Sequence, residues 1–289
     1  MPAIDVRDVT IEASDGAPLG ATVLEVDGTP RPWVVISAAV GTPHGFYRRF
    51  ARFLAEHGYS VLAYDYRGIG ASAPGSLRGF DADMTDWGRR DFGGAYRWAS
   101  RRAGERGVVV IGHSFGGQIL AMPDPAPEPL AVVVVASQSA YWGHWSWPLR
   151  PAVRALWRIV IPASTTLLGY FPSWMVGFGE PLPAGAARQW ARWGRHPGYL
   201  FGHIDDATRA RYDAFDPAML VWSFTDDPIA IHPAVEKLLE GYPAATIDWR
   251  HRAPEDLGMP RVGHHGFFRE SSRQALWQPT LAWLDGVTR

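Results

Sequence analysis

The chain has no cysteine. This absence excludes disulfide bonds, a thiolate nucleophile and zinc sites that use thiolate ligands. An excess of charge of one sign is also lacking, since 28 basic and 29 acidic side chains give a net charge of -1 at pH 7. With an isoelectric point near 6.8, the protein has no long-range field that would attract nucleic acid, so we expect no nucleic-acid partner.

The first ten residues lack the apolar core of a signal peptide. They carry the charged side chains of Asp5, Arg7 and Asp8, whereas a secretory leader needs an apolar run of about 7 to 15 residues. We therefore expect a cytoplasmic protein.

An uninterrupted transmembrane run is missing as well. The most apolar stretch extends from Trp157 to Phe178, and Pro162, Gly169 and Pro172 interrupt it. A membrane-spanning helix usually has about 20 consecutive apolar residues without such breaks. The stretch therefore predicts a buried or interfacial part of a cap and no stable membrane span.

At 289 residues and 31.9 kDa, the chain is long enough for one large domain with an inserted subdomain. A hairpin with an Asp-Gly turn at 15–16 comes first. Apolar strand-like segments then alternate with helix-like ones. The predicted strands are 33–37, 59–64, 108–111, 130–136, 219–224 and 245–249. The predicted helices are 46–56, 84–102, a short one from Ser114 to Met122, 233–240 and 273–284.

This alternation predicts an α/β fold with a mostly parallel central sheet flanked by helices. The alternation stops after Ser137 and resumes at Met219, and the intervening text is rich in tryptophan. We therefore predict a core domain formed by residues 1–140 and 216–289. Residues 141–215 are predicted to form a helical cap, or lid, inserted after the sixth sheet strand and lying over the carboxyl edge of the sheet.

The most informative motif is Gly-x-Ser-x-Gly at 112–116. It follows an apolar run and precedes a segment predicted to be helical, and a sharp strand-to-helix turn of this kind exposes a serine nucleophile. Gly112 and Gly116 leave space where side chains would clash. Ser114 is therefore the candidate nucleophile. We expect the N–H of Phe115 and the positive end of the following helix to stabilise an oxyanion.

A serine hydroxyl needs a base within hydrogen-bond distance, and the base needs an acid that orients it. On a parallel sheet, both come from loops at the carboxyl ends of later strands, in the order serine, acid, histidine. Asp226 and Asp227 follow the predicted strand 219–224. We favour Asp227, because an acid followed by Pro228 and an apolar residue has the usual register of this loop, and Asp226 is the alternative.

The base is expected between the last strand and the last helix, where the sequence has His264 and His265. His264 directly follows Gly263 and is the better candidate, whereas His265 is expected to line the pocket or to point outward. A metal site is not expected, since adjacent histidines rarely share one ion and the sequence has no His-Glu-x-x-His motif.

The second oxyanion donor should come from the loop after the strand 33–37. The residues there are small, and Ala39 is the predicted donor. Further side chains near the nucleophile and at the start of the cap are expected to bind the substrate. They are Val40, His113, Tyr141, Trp142 and His265.

These residues together resemble the α/β-hydrolase superfamily over nearly the whole chain. The segment 112–116 looks like its nucleophile elbow, 65–70 resembles the turn after its fourth strand, and Asp227 and His264 fall where its acid and base lie. The segments 141–142, 189–193 and 263–269 are similar to a bacterial subgroup of predicted serine hydrolases with a cap and unassigned substrate. The resemblance implies a hydrolase with a lid and no cofactor. One departure is Ser37–Ala38, where the family usually has His-Gly.

We therefore expect a serine hydrolase that cleaves a carboxylic ester of a largely apolar small molecule through an acyl-enzyme. Thioester cleavage or acyl transfer by the same triad is the alternative, because the sequence does not separate these reactions. A non-catalytic ligand-binding protein of the same fold is a further alternative. The sequence is also compatible with a homodimer.

Overall fold

The computed structural model describes residues 2–177 and 179–288. Met1 and Arg289 of the predicted core and Phe178 of the predicted cap lie outside these ranges. The strands of the first half are β1 (Ile4–Glu12), β2 (Pro18–Val26), β3 (Trp33–Ser37), β4 (Ser60–Tyr64), β5 (Val108–His113) and β6 (Ala131–Val135). The later strands are β7 (Tyr170–Phe171), β8 (Leu182–Pro183), β9 (Ala218–Phe224) and β10 (Thr246–Arg252).

The central sheet has the strand order β1-β2-β4-β3-β5-β6-β9-β10. The first two strands form the predicted hairpin, in which Ile11 pairs with Leu19, and β2 pairs with β4 in antiparallel orientation. From β4 to β10 the neighbouring strands run parallel. The carboxyl ends of β3, β5, β6 and β9 therefore lie at one edge of the sheet, as the α/β prediction requires.

The helices alternate with the strands. Those of the first half are α1 (Arg48–Glu56), α2 (Met84–Asp86) and α3 (Gly93–Ala103), the last two joined by a π-helical turn at Trp87–Phe92. The later ones are α4 (Leu149–Ala155), α5 (Ile161–Leu167), α6 (Ala184–Gly194), α7 (Asp206–Asp213), α8 (His232–Leu239) and α9 (Gln278–Val287). A second π-helical turn at Leu156–Val160 joins α4 to α5.

The central strands are buried on both faces of the sheet. Every residue of β3, β4, β5 and β6 is buried, although successive side chains of a strand point to opposite faces. Helices therefore cover both sides. On one side, Phe50 of α1 packs against Trp277 beside α9, with ring centroids 5.3 Å apart.

The helix predicted from Ser114 to Met122 is not formed. A 3₁₀ turn at Ser114–Gly117 replaces it. Gly116 and Gly117 disfavour continuation of a helix, and the proline-rich link that begins at Pro123 cannot supply its backbone donors. A helix dipole therefore contributes little at Ser114, and the N–H groups of this single turn must act directly.

The chain between β6 and β9 contains α4 to α7 and a two-stranded antiparallel ladder of β7 with β8. Trp157, Trp190 and Trp193 are buried within this segment. The apolar stretch that begins at Trp157 ends its helix at Leu167. Among the described residues, no helix is both long enough and apolar enough to cross a bilayer. The division into a core and a cap at residues 141 and 215 stays a prediction.

Candidate active site

Ser114 lies directly after β5, at the carboxyl edge of the sheet. Its φ angle is +52°, a left-handed conformation that costs energy for a residue with a side chain. The turn also requires Gly116, because a Cβ atom there would lie 2.0 Å from the carbonyl oxygen of Ser37. The neighbouring strand β3 and the turn are therefore pressed together, which holds the serine in its strained position.

The side chains of Ser114, His264 and Asp227 form a hydrogen-bonded chain. His264 Nε2 is 3.0 Å from Ser114 Oγ, and His264 Nδ1 is 2.8 Å from Asp227 Oδ2. A carboxylate only accepts hydrogen bonds, so Nδ1–H of His264 donates to Asp227 and Nε2 accepts from the serine hydroxyl. The exposed fractions are 7% for Ser114, 8% for His264 and 2% for Asp227. Water is therefore largely excluded from the chain.

The carboxylate of Asp227 is ionised in this setting. Burial acts to raise the pKa of Asp227, but the charge and hydrogen bond of His264 oppose it, and the net pKa lies below the ordinary value. Backbone N–H groups of Ile229 and Ala230 also donate to Oδ1, at 2.8 and 3.0 Å. Hydrogen bonds to the charged form of a carboxylate favour that form. Asp227 can therefore hold the tautomer of His264 and stabilise its protonated ring.

Asp226 has a different environment. Its carboxylate oxygens accept the backbone N–H groups of Val262 and Gly263, both at 2.9 Å. These bonds tie the loop before His264 to the end of β9. Of the two acids that the sequence left open, Asp227 is the one whose side chain reaches His264, and Asp226 braces the histidine loop.

The predicted oxyanion donors differ in their availability. The N–H of Phe115 lies in the first turn of the 3₁₀ segment, where donors have no acceptor within the turn. The N–H of Ala39, in contrast, donates to the hydroxyl of Tyr47 at 2.9 Å, so the predicted role of Ala39 does not fit the structure. Within the described chain, the next N–H, that of Val40, donates to no acceptor. Val40 is therefore the better candidate for the second donor.

His113 was predicted to bind the substrate, and the structure gives it other partners. The side chain is fully buried. Its Nε2 is 2.9 Å from the backbone oxygen of His264, and its Nδ1 is 2.9 Å from the Tyr47 hydroxyl. Burial, together with the charges of His264 and His265, lowers the pKa of His113 well below its usual range, so the ring is neutral. Nε2–H then donates to the carbonyl, and Nδ1 accepts from Tyr47.

A continuous hydrogen-bonded chain therefore runs behind the site, which we call the supporting chain. It passes from Ala39 N–H to the Tyr47 hydroxyl, then to the His113 ring and to the His264 carbonyl. It connects the loop after β3 with the loop that carries the base. Tyr47 could not be identified from the sequence, because a tyrosine within a predicted helix carries no signal that distinguishes it from an ordinary core residue.

His265 lies beside the hydrogen-bonded side chains of Ser114, His264 and Asp227. Its ring packs edge-to-face against His264 and Phe46, with ring centroids 5.1 and 5.7 Å apart. Burial and the charge of His264 lower the pKa of His265 to about 4, so the ring is neutral at pH 7. His264 and His265 line a groove of about 490 Å³ together with Arg261 and Arg269. This is compatible with the predicted pocket-lining role of His265, which stays a prediction.

Tyr141 and Trp142 lie at the start of the segment inserted after β6. Their rings pack together, with centroids 5.5 Å apart. Trp142 lines a surface groove whose other walls come from α4 and the following turn, and Ser114, Asp227 and His264 do not line that groove. The predicted substrate contact of Trp142 is therefore not supported by its position. No group of three or more potential metal ligands comes together in the part of the chain that the structure describes.

The segment 179–182 lies across the loop after β3. The N–H of Glu180 donates to the carbonyl of Gly41 at 2.7 Å, and the Glu180 carboxylate accepts the N–H of Gly70 at 2.6 Å. A second link connects Trp190 through the Tyr199 hydroxyl to Gln118, which lies four residues after Ser114. The inserted segment is thus fastened to both sides of the site.

The chain has informative similarities to known proteins. The profile of a family described as the alpha/beta hydrolase family matches residues 30–277. No curated protein sequence matches the chain. An esterase from Pyrococcus furiosus has a similar structure, with 14% sequence identity, a TM-score of 0.63, and coverage of 99% of this chain and 92% of that one.

Two further solved structures are of similar kind. A thermophilic esterase from Thermogutta terrifontis has 15% identity and a TM-score of 0.58, and the match covers 98% of this chain and 100% of that one. An esterase from Exiguobacterium antarcticum has 16% identity and a TM-score of 0.61, and the match covers 96% of this chain and 100% of that one. At such identities the likeness is one of fold, and the predicted fold class is confirmed.

Proposed function

We propose that this chain, which belongs to the alpha/beta hydrolase family, is a serine hydrolase that cleaves carboxylic esters of largely apolar small molecules. The observation that carries the proposal is the hydrogen-bonded chain from Ser114 through His264 to Asp227. The strained backbone of Ser114 supports it, because backbone strain of this kind is concentrated at functional sites.

In the proposed reaction, Ser114 Oγ attacks the ester carbonyl while His264 Nε2 takes the hydroxyl proton. The negative charge of Asp227 stabilises the imidazolium that forms. The C–O bond to the alcohol breaks when His264 returns the proton to the leaving oxygen, and an acyl-enzyme remains on Ser114. Water, deprotonated by His264, then attacks the acyl carbon. The bond from that carbon to Ser114 Oγ breaks as His264 returns the proton to Oγ, and the carboxylic acid leaves.

The tetrahedral intermediates carry a negatively charged oxygen, which needs donors that are already in place. We propose the N–H groups of Phe115 and Val40 for this role. Removing one such donor costs about 10²- to 10³-fold in turnover in comparable sites. Backbone donors cannot be deleted by ordinary substitution, so the accessible target is the supporting chain, which holds the loop that carries Val40.

The apolar substrate class rests on the surroundings of the site. Trp157, Trp190 and Trp193 are buried within the inserted segment, and we propose that this segment is an apolar cap over the site. The structural neighbours reported above are described as esterases, which supports ester cleavage. Thioester cleavage and acyl transfer would use the same three residues and are therefore included in the test. Homodimer formation and a cytoplasmic location stay predictions.

The first test is intact mass spectrometry after reaction with a phosphonate ester that carries a good leaving group. We expect one adduct on the wild-type chain and none on Ser114→Ala. Ser139→Ala is the matched control, because Ser139 Oγ also lies near a histidine, at 3.1 Å from His144 Nε2. The control should react like the wild type, since none of the described acidic side chains is hydrogen-bonded to the other nitrogen of the His144 ring.

Turnover of p-nitrophenyl esters of increasing acyl length would then define the acyl preference. Parallel assays with a thioester and with an added alcohol acceptor would separate hydrolysis of esters from the two alternatives. A folded wild-type protein that forms no adduct would contradict the proposal and favour the non-catalytic interpretation.

A further inference from the structure

Large apolar side chains that are exposed to solvent are concentrated in one part of the molecule. Within the described chain, those outside the inserted segment are limited to Val6, Leu130 and Val287. The others lie between positions 147 and 175, and Trp147 and Leu167 are the most exposed, at 81% and 80%. The remaining members of this set are Leu149, Ile159, Val160, Trp174 and Met175. Exposed apolar side chains in such a cluster mark an interaction surface.

The same segment carries positive charge only. Between Glu128 and Glu180 the sequence has no Asp and no Glu, whereas Arg150, Arg154 and Arg158 recur at every fourth position. This spacing places the three arginines on one face of the helix that continues from α4 through the π-helical turn. Within the described residues, none of the three forms an ion pair.

The three arginines line one groove of about 590 Å³ together with two of the exposed apolar side chains, Trp147 and Ile159. Trp142, Trp147 and Ile159 contribute its apolar wall. The guanidinium groups of Arg150 and Arg154 lie over the ring of Trp142, with 5.6 and 5.2 Å between the guanidinium carbon and the ring centroid. Contacts of this kind orient a cation without neutralising it. The groove therefore offers unneutralised positive charge next to tryptophan and aliphatic side chains.

We infer that this surface, the groove lined by Arg150, Arg154 and Arg158 with Trp147 and Ile159, docks the protein onto an anionic lipid membrane. Arginine side chains beside tryptophan and aliphatic side chains are what the boundary between lipid headgroups and acyl chains selects. The arginines would contact lipid phosphates while the apolar side chains enter the acyl region. The inference concerns attachment only and does not depend on the proposed catalytic function.

Charge complementarity favours a lipid surface over a second copy of the chain. A symmetric dimer through this face would bring the same three arginines of two copies together, with no acid to separate them. The chain as a whole has a net charge of -1 although this segment is positive. The remainder therefore has a net negative charge, and an anionic membrane would attract this face more than the rest of the molecule.

The test is co-sedimentation of the full chain with phosphatidylcholine vesicles and with vesicles that contain phosphatidylglycerol as well. We expect binding to the anionic vesicles and little to the neutral ones. Binding should disappear at 1 M salt, where the Debye length falls to about 3 Å. A basic residue near an anionic surface contributes about fivefold to partitioning, so replacing all three arginines by glutamine should weaken binding about 100-fold.

The matched control is the triple variant Arg49→Gln, Arg97→Gln and Arg101→Gln. It removes the same charge from α1 and α3, at side chains that form no ion pair within the described chain. This control should bind like the wild type. For the apolar contribution, Trp147→Ser should weaken binding and Val6→Ser should not. Circular dichroism spectra and melting temperatures verify that each variant is folded.

Several outcomes would overturn the inference. Equal binding to neutral and anionic vesicles would show that the arginines have no role in attachment. An equal loss of affinity for anionic vesicles in both triple variants would show that only the net charge matters. Absence of vesicle binding together with self-association that Trp147→Ser abolishes would identify the surface as an interface between copies. Absence of both would leave the surface without the proposed role.

Discussion

Replacement of Tyr47 by phenylalanine tests the supporting chain with the loss of a single oxygen. The hydroxyl is fully buried, accepts from Ala39 N–H and donates to His113 Nδ1, both at 2.9 Å. Without it, one backbone donor and one ring acceptor remain buried and unpaired. Such groups cost about 1–3 kcal/mol each, so we expect the free energy of unfolding to fall by about 3 kcal/mol.

This loss can be expressed as a change in melting temperature. At roughly 2.1 cal/mol/K per residue, the unfolding entropy of 289 residues is about 0.6 kcal/mol/K. A loss of about 3 kcal/mol then corresponds to a decrease of about 5 °C. Urea denaturation monitored by tryptophan fluorescence and calorimetry would measure the two quantities independently.

The same substitution should lower turnover. The supporting chain holds the loop after β3 and the backbone of His264, and a misplacement of about 1 Å in a catalytic site can cost on the order of 100-fold. We expect kcat to fall by about 10- to 100-fold with a smaller change in KM, because the perturbed groups act on the oxyanion and on the base.

Tyr59→Phe is the matched control for turnover. The Tyr59 hydroxyl also has two partners, since it donates to Asp285 and accepts from Arg31, both at 2.9 Å. Tyr59 lies directly before β4, at the edge of the sheet opposite to Ser114. This variant should lose stability and keep its kcat. The reasoning would be refuted if Tyr47→Phe changed the unfolding free energy by less than about 0.5 kcal/mol or left kcat unaltered.

Three further predictions follow from the site and its surroundings. Asp227→Asn should reduce kcat/KM by about 10⁴-fold through the wrong tautomer of the base, whereas Asp226→Asn, which loses part of a backbone brace, should cost only about tenfold. The pKa of His265 is about 4 when folded and ordinarily 6.5, so the unfolded chain binds more protons between these values and stability falls as the pH drops from 6.5 towards 4. His265→Leu should remove up to about 3 kcal/mol of that pH dependence, as measured by urea unfolding at pH 7, 5.5 and 4. If the unfolding free energy of the variant fell with pH as steeply as that of the wild type, the prediction would be contradicted. Gly116→Ala should prevent folding or abolish phosphonate labelling, whereas Gly75→Ala, where a Cβ atom meets nothing within 4 Å, should behave like the wild type.

Much of the core architecture could be predicted from local patterns. Apolar runs such as 108–111 and 219–224 are strands in the structure, because strands buried on both faces must be apolar throughout. The hairpin turn at Gly16 followed from its Asp-Gly pair, and its φ of +83° shows why glycine is needed there. These features depend on residues that are close together in the chain.

The candidate residues depend on a different property of the sequence, the order of motifs along the chain. The glycine pattern around Ser114 identifies a sharp turn, and Asp227 and His264 follow from their order after later strands. Parallel strands place their carboxyl ends at one edge, so residues more than 100 positions apart in the sequence are brought together there. Chain order therefore predicted which side chains meet, and the structure has them within hydrogen-bond distance.

Other features depended on contacts that no local pattern encodes. The short turn after Ser114 in place of a helix, the use of the Ala39 N–H by Tyr47 and the buried position of His113 all result from packing between distant segments. A backbone N–H has the same sequence signature whether it is free or bonded.

The amino-acid sequence by itself thus determined the parallel sheet, the strained turn and the order of the nucleophile, acid and base, because periodicity and chain order are properties of the sequence. Only the tertiary structure decided which donors remain free, which polar side chains support the site from behind, and which arginines and tryptophans share one surface. These depend on the distances between side chains from separate elements, and such distances exist only once the chain has folded.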